Sequence, residues 1–148
     1  MTPRSVDEQA IRALDGAGLT RLAWTLGLAP PPPPGLPTAW EGAEQIIFVF
    51  RGPQEYIPWE PHIALPQADA VFLSLRGRGW STSVVWWADS RQYGEAWASC
   101  SMRSHSARWP LDVPTEAHAV LLVSVLVATH IKKQEGGGQR LPAKAGSL

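Results

Sequence analysis

The residues of this chain that could do acid–base, metal or nucleophilic chemistry are few and scattered. His118 and His130 are separated by about 120° around a helix, so they cannot form a local metal pair. Cys100 is the single cysteine, which excludes a structural zinc site built on several thiolates. Glu60 and His62 could form an acid–base pair in a proline-flanked loop. Phosphate-cradling glycine loops and nucleophile elbows are absent from the sequence. It therefore favours a non-catalytic protein with no cofactor and no metal.

Tryptophan is the more informative residue type, because the 148-residue chain contains eight. Tryptophan rings serve either as core residues or as anchors of binding surfaces. If residues 70–76, 80–88 and 95–102 are strands, alternation divides their side chains between two faces. The predicted core face carries Val71, Leu73, Leu75, Trp80, Val84, Trp86, Ala96, Ala98 and Cys100.

The opposite face is polar, rich in serine and interrupted by large aromatic rings. Arginines beside such rings can stack on bases, sugars or a partner's side chains. The predicted binding residues on this face are Phe72, Arg76, Trp87, Trp97 and Arg103. The alternative is that the N-terminal helices or residues 53–66 cover these rings, because bare patches of this kind are uncommon.

Three functions follow from these observations. The first is a non-catalytic interaction module that binds a protein partner through the tryptophan-bearing face. The second is a small DNA- or RNA-binding regulator, which a formal net charge of zero disfavours. The third is a small enzyme or ligand pocket around Trp59, Glu60, His62 and His105. A membrane span is not expected, because the uncharged stretch 117–131 is shorter than the roughly 20 residues required.

The elements that must position these residues predict an α+β fold. An antiparallel sheet of about four strands packs against a C-terminal helix, with two N-terminal helices beside it. The helices are predicted over residues 6–15, 19–27 and 114–133. The strands are predicted over residues 46–50, 70–76, 80–88 and 95–102. Residues 53–66 are expected to form an edge or irregular crossing, and residues 103–113 a loop.

Proline and glycine mark the expected boundaries of the domain. A single globular domain is predicted for residues 1–135, with a stiff proline-rich connector over residues 30–37. Gly136–Gly138 are expected to end the last helix and to begin a flexible tail over residues 136–148. One cysteine and an N-terminus without an apolar leader predict a cytoplasmic protein.

Overall fold

Two separate three-stranded antiparallel sheets and four α-helices form the described part of the chain in a computed structural model. The structure describes residues 6–30, 40–41, 47–52, 55–87, 90–101 and 103–141. The helices are α1 (Val6–Arg12), α2 (Gly16–Thr25), α3 (Leu65–Ser74) and α4 (Glu116–Leu141). The strands are β1 (Trp40–Glu41), β2 (Ile47–Gly52), β3 (Glu55–Pro58), β4 (Ser81–Trp87), β5 (Ser90–Ser99) and β6 (Ser104–Trp109). The fold is α+β, as the sequence predicts.

Helix α4 lies at the centre of the core. Thr115 precedes it and its Oγ1 accepts a hydrogen bond from the backbone N–H of His118 at 3.2 Å, which caps the first turn. Every side chain over residues 119–128 is buried. The buried Ser124 hydroxyl donates to the carbonyl oxygen of Val120 at 2.8 Å, so it does not break the apolar surface. Burial on all sides fits a helix enclosed by other elements.

Sheet β4–β5–β6 covers one side of α4, and α1, α2 and α3 contact other parts of its surface. Strand β5 is central and pairs with β4 on one edge and β6 on the other. Its small residues meet the helix: Ala96 pairs with Val84 and with Ala107, and both alanines are fully buried. Small side chains on the central strand allow α4 to approach the sheet closely. No helix within the described residues is long and apolar enough to cross a membrane.

The two N-terminal helices are confirmed, and their boundary has a physical cause. The Asp15 carboxylate accepts from the backbone N–H of Gly18 at 2.7 Å and caps the start of α2. Leu19 and Ala23 bury the inner face of α2 completely. Gly27 adopts a left-handed φ of 78°, a conformation that glycine allows without a Cβ clash, so the chain turns there.

Residues 70–76 do not form the predicted strand. They belong to α3 and to a short 3-10 turn, Leu75–Arg78. Pro66 occupies the start of α3, where its fixed φ suits a helix and its missing N–H costs nothing. The buried positions Ala68, Val71 and Leu75 follow helical spacing, and Leu73, predicted in the core, is exposed.

The meander after residue 80 is longer than predicted. The strand over residues 80–88 is confirmed as β4. Strand β5 begins at Ser90, five residues before the predicted strand over residues 95–102, and ends at Ser99. The predicted loop over residues 103–113 contains β6, whose side chains alternate between exposed and buried. The sheet on α4 thus has three strands rather than about four, and its third member is β6.

The remaining predictions concern sheet β1–β2–β3 and the end of α4 at Gly136–Gly138. Strand β2 confirms the apolar strand at residues 46–50 and lies between β1 and β3. Nothing is described of its side chains. Helix α4 continues through Gly136–Gly138 to Leu141, beyond its expected end. The connector from residue 31 to 37 and tail residues 142–148 also lie outside the described residues.

Candidate functional site

Sheet β4–β5–β6 has one face against α4 and a second face that is exposed or half-buried. We call the second one the outer sheet face. In it, Ser83 pairs with Trp97 and Trp97 pairs with Ser106, so the tryptophan occupies the centre. The outer sheet face consists of Ser81, Ser83, Val85, Trp87, Glu95, Trp97, Ser99, Ser104, Ser106 and Arg108. Its polar groups and central ring match the character predicted from alternation.

Large apolar side chains are exposed where β4 ends and β5 begins. We call this cluster the hairpin end; it consists of Val85 (43% exposed), Trp86 (44%), Trp87 (38%) and Tyr93 (48%). Trp86 was expected in the core, and this expectation is wrong. Its neighbour along the inner face, Val84, still packs against the core. The strand therefore extends beyond the buried part of the sheet, which exposes rings on both of its faces.

The five predicted binding residues do not form one surface. Trp97 lies on the outer sheet face, and Trp87 lies at the end of β4, beyond a shift of the β4–β5 register between Trp86 and Trp87. Phe72 is buried in α3, because the strand that would have placed it on the sheet is a helix. Arg76 lies on the 3-10 turn and donates to the hydroxyl and the carbonyl oxygen of Thr82, at 2.9 and 3.2 Å.

Arg103, the last of that set, lies in the turn between β5 and β6. The backbone of the turn is closed by Cys100, whose N–H donates to the Arg103 carbonyl oxygen at 2.9 Å. The Arg103 side chain is exposed and lines a cavity that contains two histidines. This arrangement places Arg103 in a different site from the hairpin end.

The residues of the pocket expected around Trp59, Glu60, His62 and His105 lie in three different places. His62 Nδ1 lies 2.8 Å from the Thr20 hydroxyl, and a Cβ at Gly16 would collide with its ring. His62 also lies close enough to His118, at the start of α4, to lower the pKa of His118 electrostatically. His105 instead lies near His130, twelve residues further along that helix.

His118 and His130 are about 18 Å apart along the axis of α4, at 1.5 Å per residue. His62 therefore lies near the start of α4 and His105 near its middle, so the two do not converge. The pKa of His118 is lowered, mainly by burial and then by the charge of His62.

Trp59 and Glu60 belong to a third place. Trp59 is buried, and its ring centre is 6.3 Å from that of Trp24. Gln67 fixes this segment, because its Oε1 accepts from Glu60 N–H at 2.6 Å and its Nε2 donates to Pro58 O at 3.0 Å. Trp59 lines a cavity of about 530 Å³ whose other walls include Leu28, Ile57 and Val71. The cavity is mainly apolar.

A second cavity, of about 340 Å³, was not anticipated from the sequence. We call it the histidine cavity; its lining includes Glu8, Ile11, Arg103, His105, Leu126, Thr129, His130 and Lys133. Trp80 is buried behind both of its histidines. The Trp80 ring stacks on the His105 ring, with the ring centres 6.0 Å apart, and meets the His130 ring edge to face, with the centres 5.8 Å apart. The aromatic contacts hold both imidazoles in place.

The pKa of both histidines of this cavity is lowered, which favours the uncharged imidazole. Burial lowers the pKa of His105, and the cations Arg12 and Arg103 lower it further against the opposing effect of Glu8. Burial also lowers the pKa of His130, together with Arg103 and Lys133. A neutral imidazole presents one donor and one acceptor. The cavity wall can therefore both donate and accept hydrogen bonds.

Metal binding finds little support in the part of the chain that the structure describes. That part contains no group of three or more His, Cys, Asp or Glu side chains arranged to hold an ion. Cys100 is a half-buried free thiol that packs against the core, as a small apolar residue does.

No model of a known protein family matches this chain, and no curated protein or solved structure shows significant similarity to it.

Proposed function

We propose that this protein is a non-catalytic interaction module that binds a protein partner through the outer sheet face and the hairpin end. One observation supports the proposal most directly: Val85, Trp86, Trp87 and Tyr93 are all 38–48% exposed at one end of one hairpin. Adjacent exposed rings of this kind typically mark an interaction site. Tryptophan and tyrosine are also the side chains most often found as interface anchors.

The packing of the helices leaves the outer sheet face accessible within the described chain. Helices α1, α2 and α3 have their main contacts with α4. Arg12 of α1 reaches β6, where it donates to the Ser106 carbonyl oxygen at 3.1 Å. Around the Trp97 ring, serine hydroxyls provide a polar surface that can form hydrogen bonds with water or with a partner. An aromatic centre with a hydrogen-bonding surround is the usual composition of a protein interface.

The charges on this face favour a protein over a nucleic acid. Glu95 pairs directly with Arg108, so one acid lies opposite one base. Asp112, a second acid, accepts from the Arg108 backbone N–H at 2.9 Å and from its Nε at 3.4 Å. Nucleic-acid affinity depends on several cations that neutralise phosphates, and the described side chains of this face supply only Arg108. The lone thiol of Cys100 supports a reducing compartment, and we propose the cytoplasm.

The test is affinity capture from cells that produce the protein, with Trp87→Ala and Trp97→Ala as the interface variants. Ile63→Ala is the matched control, because Ile63 is exposed but lies in the turn before α3. We expect the wild type and the control to retain the same partner, and both tryptophan variants to lose it. Retention by all four proteins would contradict the proposal. Loss after nuclease treatment would favour the nucleic-acid alternative.

A further inference from the structure

The two edges of sheet β4–β5–β6 differ in how much of their backbone is already paired. Strand β5 is central, so β4 and β6 each have one side that faces away from the sheet. In an antiparallel ladder, the N–H and the carbonyl of one residue point to the same side, and this side alternates along the strand. Every second residue of β4 and β6 therefore presents its backbone groups to the edge, where another strand could pair.

The β6 edge is closed by hydrogen bonds from the same chain. The Ser106 carbonyl oxygen accepts from Arg12 Nη2 at 3.1 Å, so the backbone groups of Ser106 point away from β5. Two residues further on, the Arg108 N–H donates to the Asp112 carboxylate at 2.9 Å. The Arg108 carbonyl oxygen accepts from the N–H groups of Asp112 and Val113, at 2.8 and 3.2 Å. A further strand could pair with Arg108 only by displacing these bonds.

The β4 edge is occupied only at its beginning within the described residues. The Thr82 carbonyl oxygen accepts from Arg76 Nη2 at 3.2 Å, so the backbone of Thr82 points away from β5. The Val85 carbonyl oxygen points the other way, since it lies against Gly94 of β5. Val84, two residues after Thr82, then presents its N–H and carbonyl to the edge. Neither group has a partner in the described part of the chain outside the sheet.

The composition of β4 leaves this edge without the usual protection against a further strand. Exposed edges are normally blunted by charged side chains or proline, and Ser81–Trp87 contains neither. Exposure increases toward the end of the strand, where residues 85–87 are exposed. A segment added beside Val84 would lie next to an apolar side chain on each face of the sheet, Val85 and Trp86. This favours an uncharged partner segment rich in β-branched or aromatic residues.

A second copy of the chain does not fit this edge. Antiparallel pairing of β4 with itself around Val84 would place residue 86 of one copy opposite Thr82 of the other, where Arg76 and the 3-10 turn lie. A single extended segment can instead pair with Val84 and run toward the hairpin end without meeting that turn. We propose that the partner adds an extended, uncharged strand to the β4 edge, hydrogen-bonded to the backbone of Val84. This inference rests on the proposed function and specifies which kind of element the partner contributes.

The test begins with a peptide probe. A display library of random twelve-residue peptides is selected on the full-length wild-type protein, and we expect uncharged peptides rich in valine, isoleucine and aromatic residues. Val84→Pro removes the outward N–H while β4 keeps its bonds to β5, because proline is tolerated where the N–H faces away from the sheet. It should weaken binding of the selected peptides at least about tenfold. Val84→Ala removes more of the side chain but keeps the N–H, so the affinity should stay within about threefold.

Two controls separate strand pairing from loss of the fold. Ser106→Pro makes the same backbone change at the closed β6 edge and should leave the peptide affinity within about threefold. Amide hydrogen exchange of the wild type needs no substitution. The Val84 N–H should exchange rapidly in the free protein and at least about tenfold more slowly when a selected peptide is bound. The Val85 N–H, which points to β5, should be protected in both states.

Selected peptides that bind Val84→Pro as tightly as the wild type, with both proteins folded, would overturn the proposal. A Val84 N–H that is protected in the free protein, or that bound peptide does not slow, would also overturn it. The same holds for a library that yields no binder or only charged peptides. A wild-type dimer that Val84→Pro dissociates would replace the partner strand by a second copy.

Partner capture from cells separates this inference from the proposed function. Retention of the captured protein by Val84→Pro, together with its loss by Trp87→Ala and Trp97→Ala, would refute strand pairing and leave the proposed function intact. Retention by all of these variants would contradict the proposed function itself, whatever the peptides show.

Discussion

Gly94 is the position at which the packing of the sheet can be tested most sharply. It lies in the central strand β5 and pairs with Trp86 on one side and Trp109 on the other. The Trp109 ring covers it so closely that an added Cβ would lie 2.5 Å from Cζ2 and 2.6 Å from Cη2. The same Cβ would also collide with the backbone oxygen of Val85. Carbon atoms normally approach no closer than about 3.5 Å, so Gly94→Ala requires the ring to move by roughly 1 Å.

The expected cost follows from what would have to move. Trp109 is 2% exposed and enclosed by the core, and the Val85 oxygen belongs to the backbone of β4, so neither can yield freely. Overpacking of this kind typically costs about 1–3 kcal/mol, and we expect the upper part of that range. Gly77→Ala is the matched control, since a Cβ there meets nothing within 4 Å. Its free energy of unfolding should change by no more than about 0.5 kcal/mol.

Urea denaturation followed by tryptophan fluorescence provides the assay. Gly94→Ala should lower the denaturation midpoint without changing the slope m, which reports the surface exposed on unfolding. Gly77→Ala should leave both quantities near their wild-type values. Equal stability of the two variants would refute the close packing of Trp109 on β5, and with it the placement of β6 beside the central strand.

Two further predictions concern the central helix and the histidines. Leu122→Ala should cost about 2–5 kcal/mol because Leu122 is 1% exposed in α4. Leu111→Ala, at a site 68% exposed, should change stability by under about 0.5 kcal/mol in the same denaturation assay. The pKa of His105, His118 and His130 is lowered by burial, so the folded state binds fewer protons than the unfolded state. The free energy of unfolding should therefore be constant above about pH 7 and fall as the pH drops through about 6.5; denaturation midpoints that stay level or rise on acidification would contradict this.

The sequence predicts the elements that are governed by long, consistent patterns. Helix α4 is identified by an apolar stretch of helix length, and its central position follows from being apolar on every side. The N-terminal helices follow from apolar spacing interrupted by glycine, and Gly27 marks the end of α2 through its positive φ. Strand β4 follows from aromatic and β-branched residues. These signals are local, so the sequence is sufficient for them.

Residues 65–78 show where a local pattern is ambiguous. Val71, Leu73 and Leu75 alternate as in a strand, whereas Ala68, Val71 and Leu75 have helical spacing. Over so few residues both periods fit, and packing on α4 selects the helix. Pro66 was the signal that could have decided the matter, because proline at the first helical position is a common start.

The histidine cavity could not be found from the sequence because it depends on long-range contacts. His105 was expected in a loop, but it lies in β6, whose short run of small and polar residues resembles a connection. Only the pairing of β6 with β5 and the packing of both on α4 bring His105 to Trp80 and His130. The prediction that Trp87 and Trp97 share a face used the alternation within each strand, but it also depends on the register of β4 on β5, which shifts between Trp86 and Trp87.

The function proposed for the outer sheet face is tested most directly by photo-crosslinking in the cells that produce the protein. A benzophenone amino acid would replace Val85 at the hairpin end in one variant and Ile63, which is also exposed, in another. We expect a crosslinked protein adduct of defined mass from position 85 and none from position 63. Identical adducts at both positions, or a nucleic acid crosslinked at position 85, would contradict a protein-binding face.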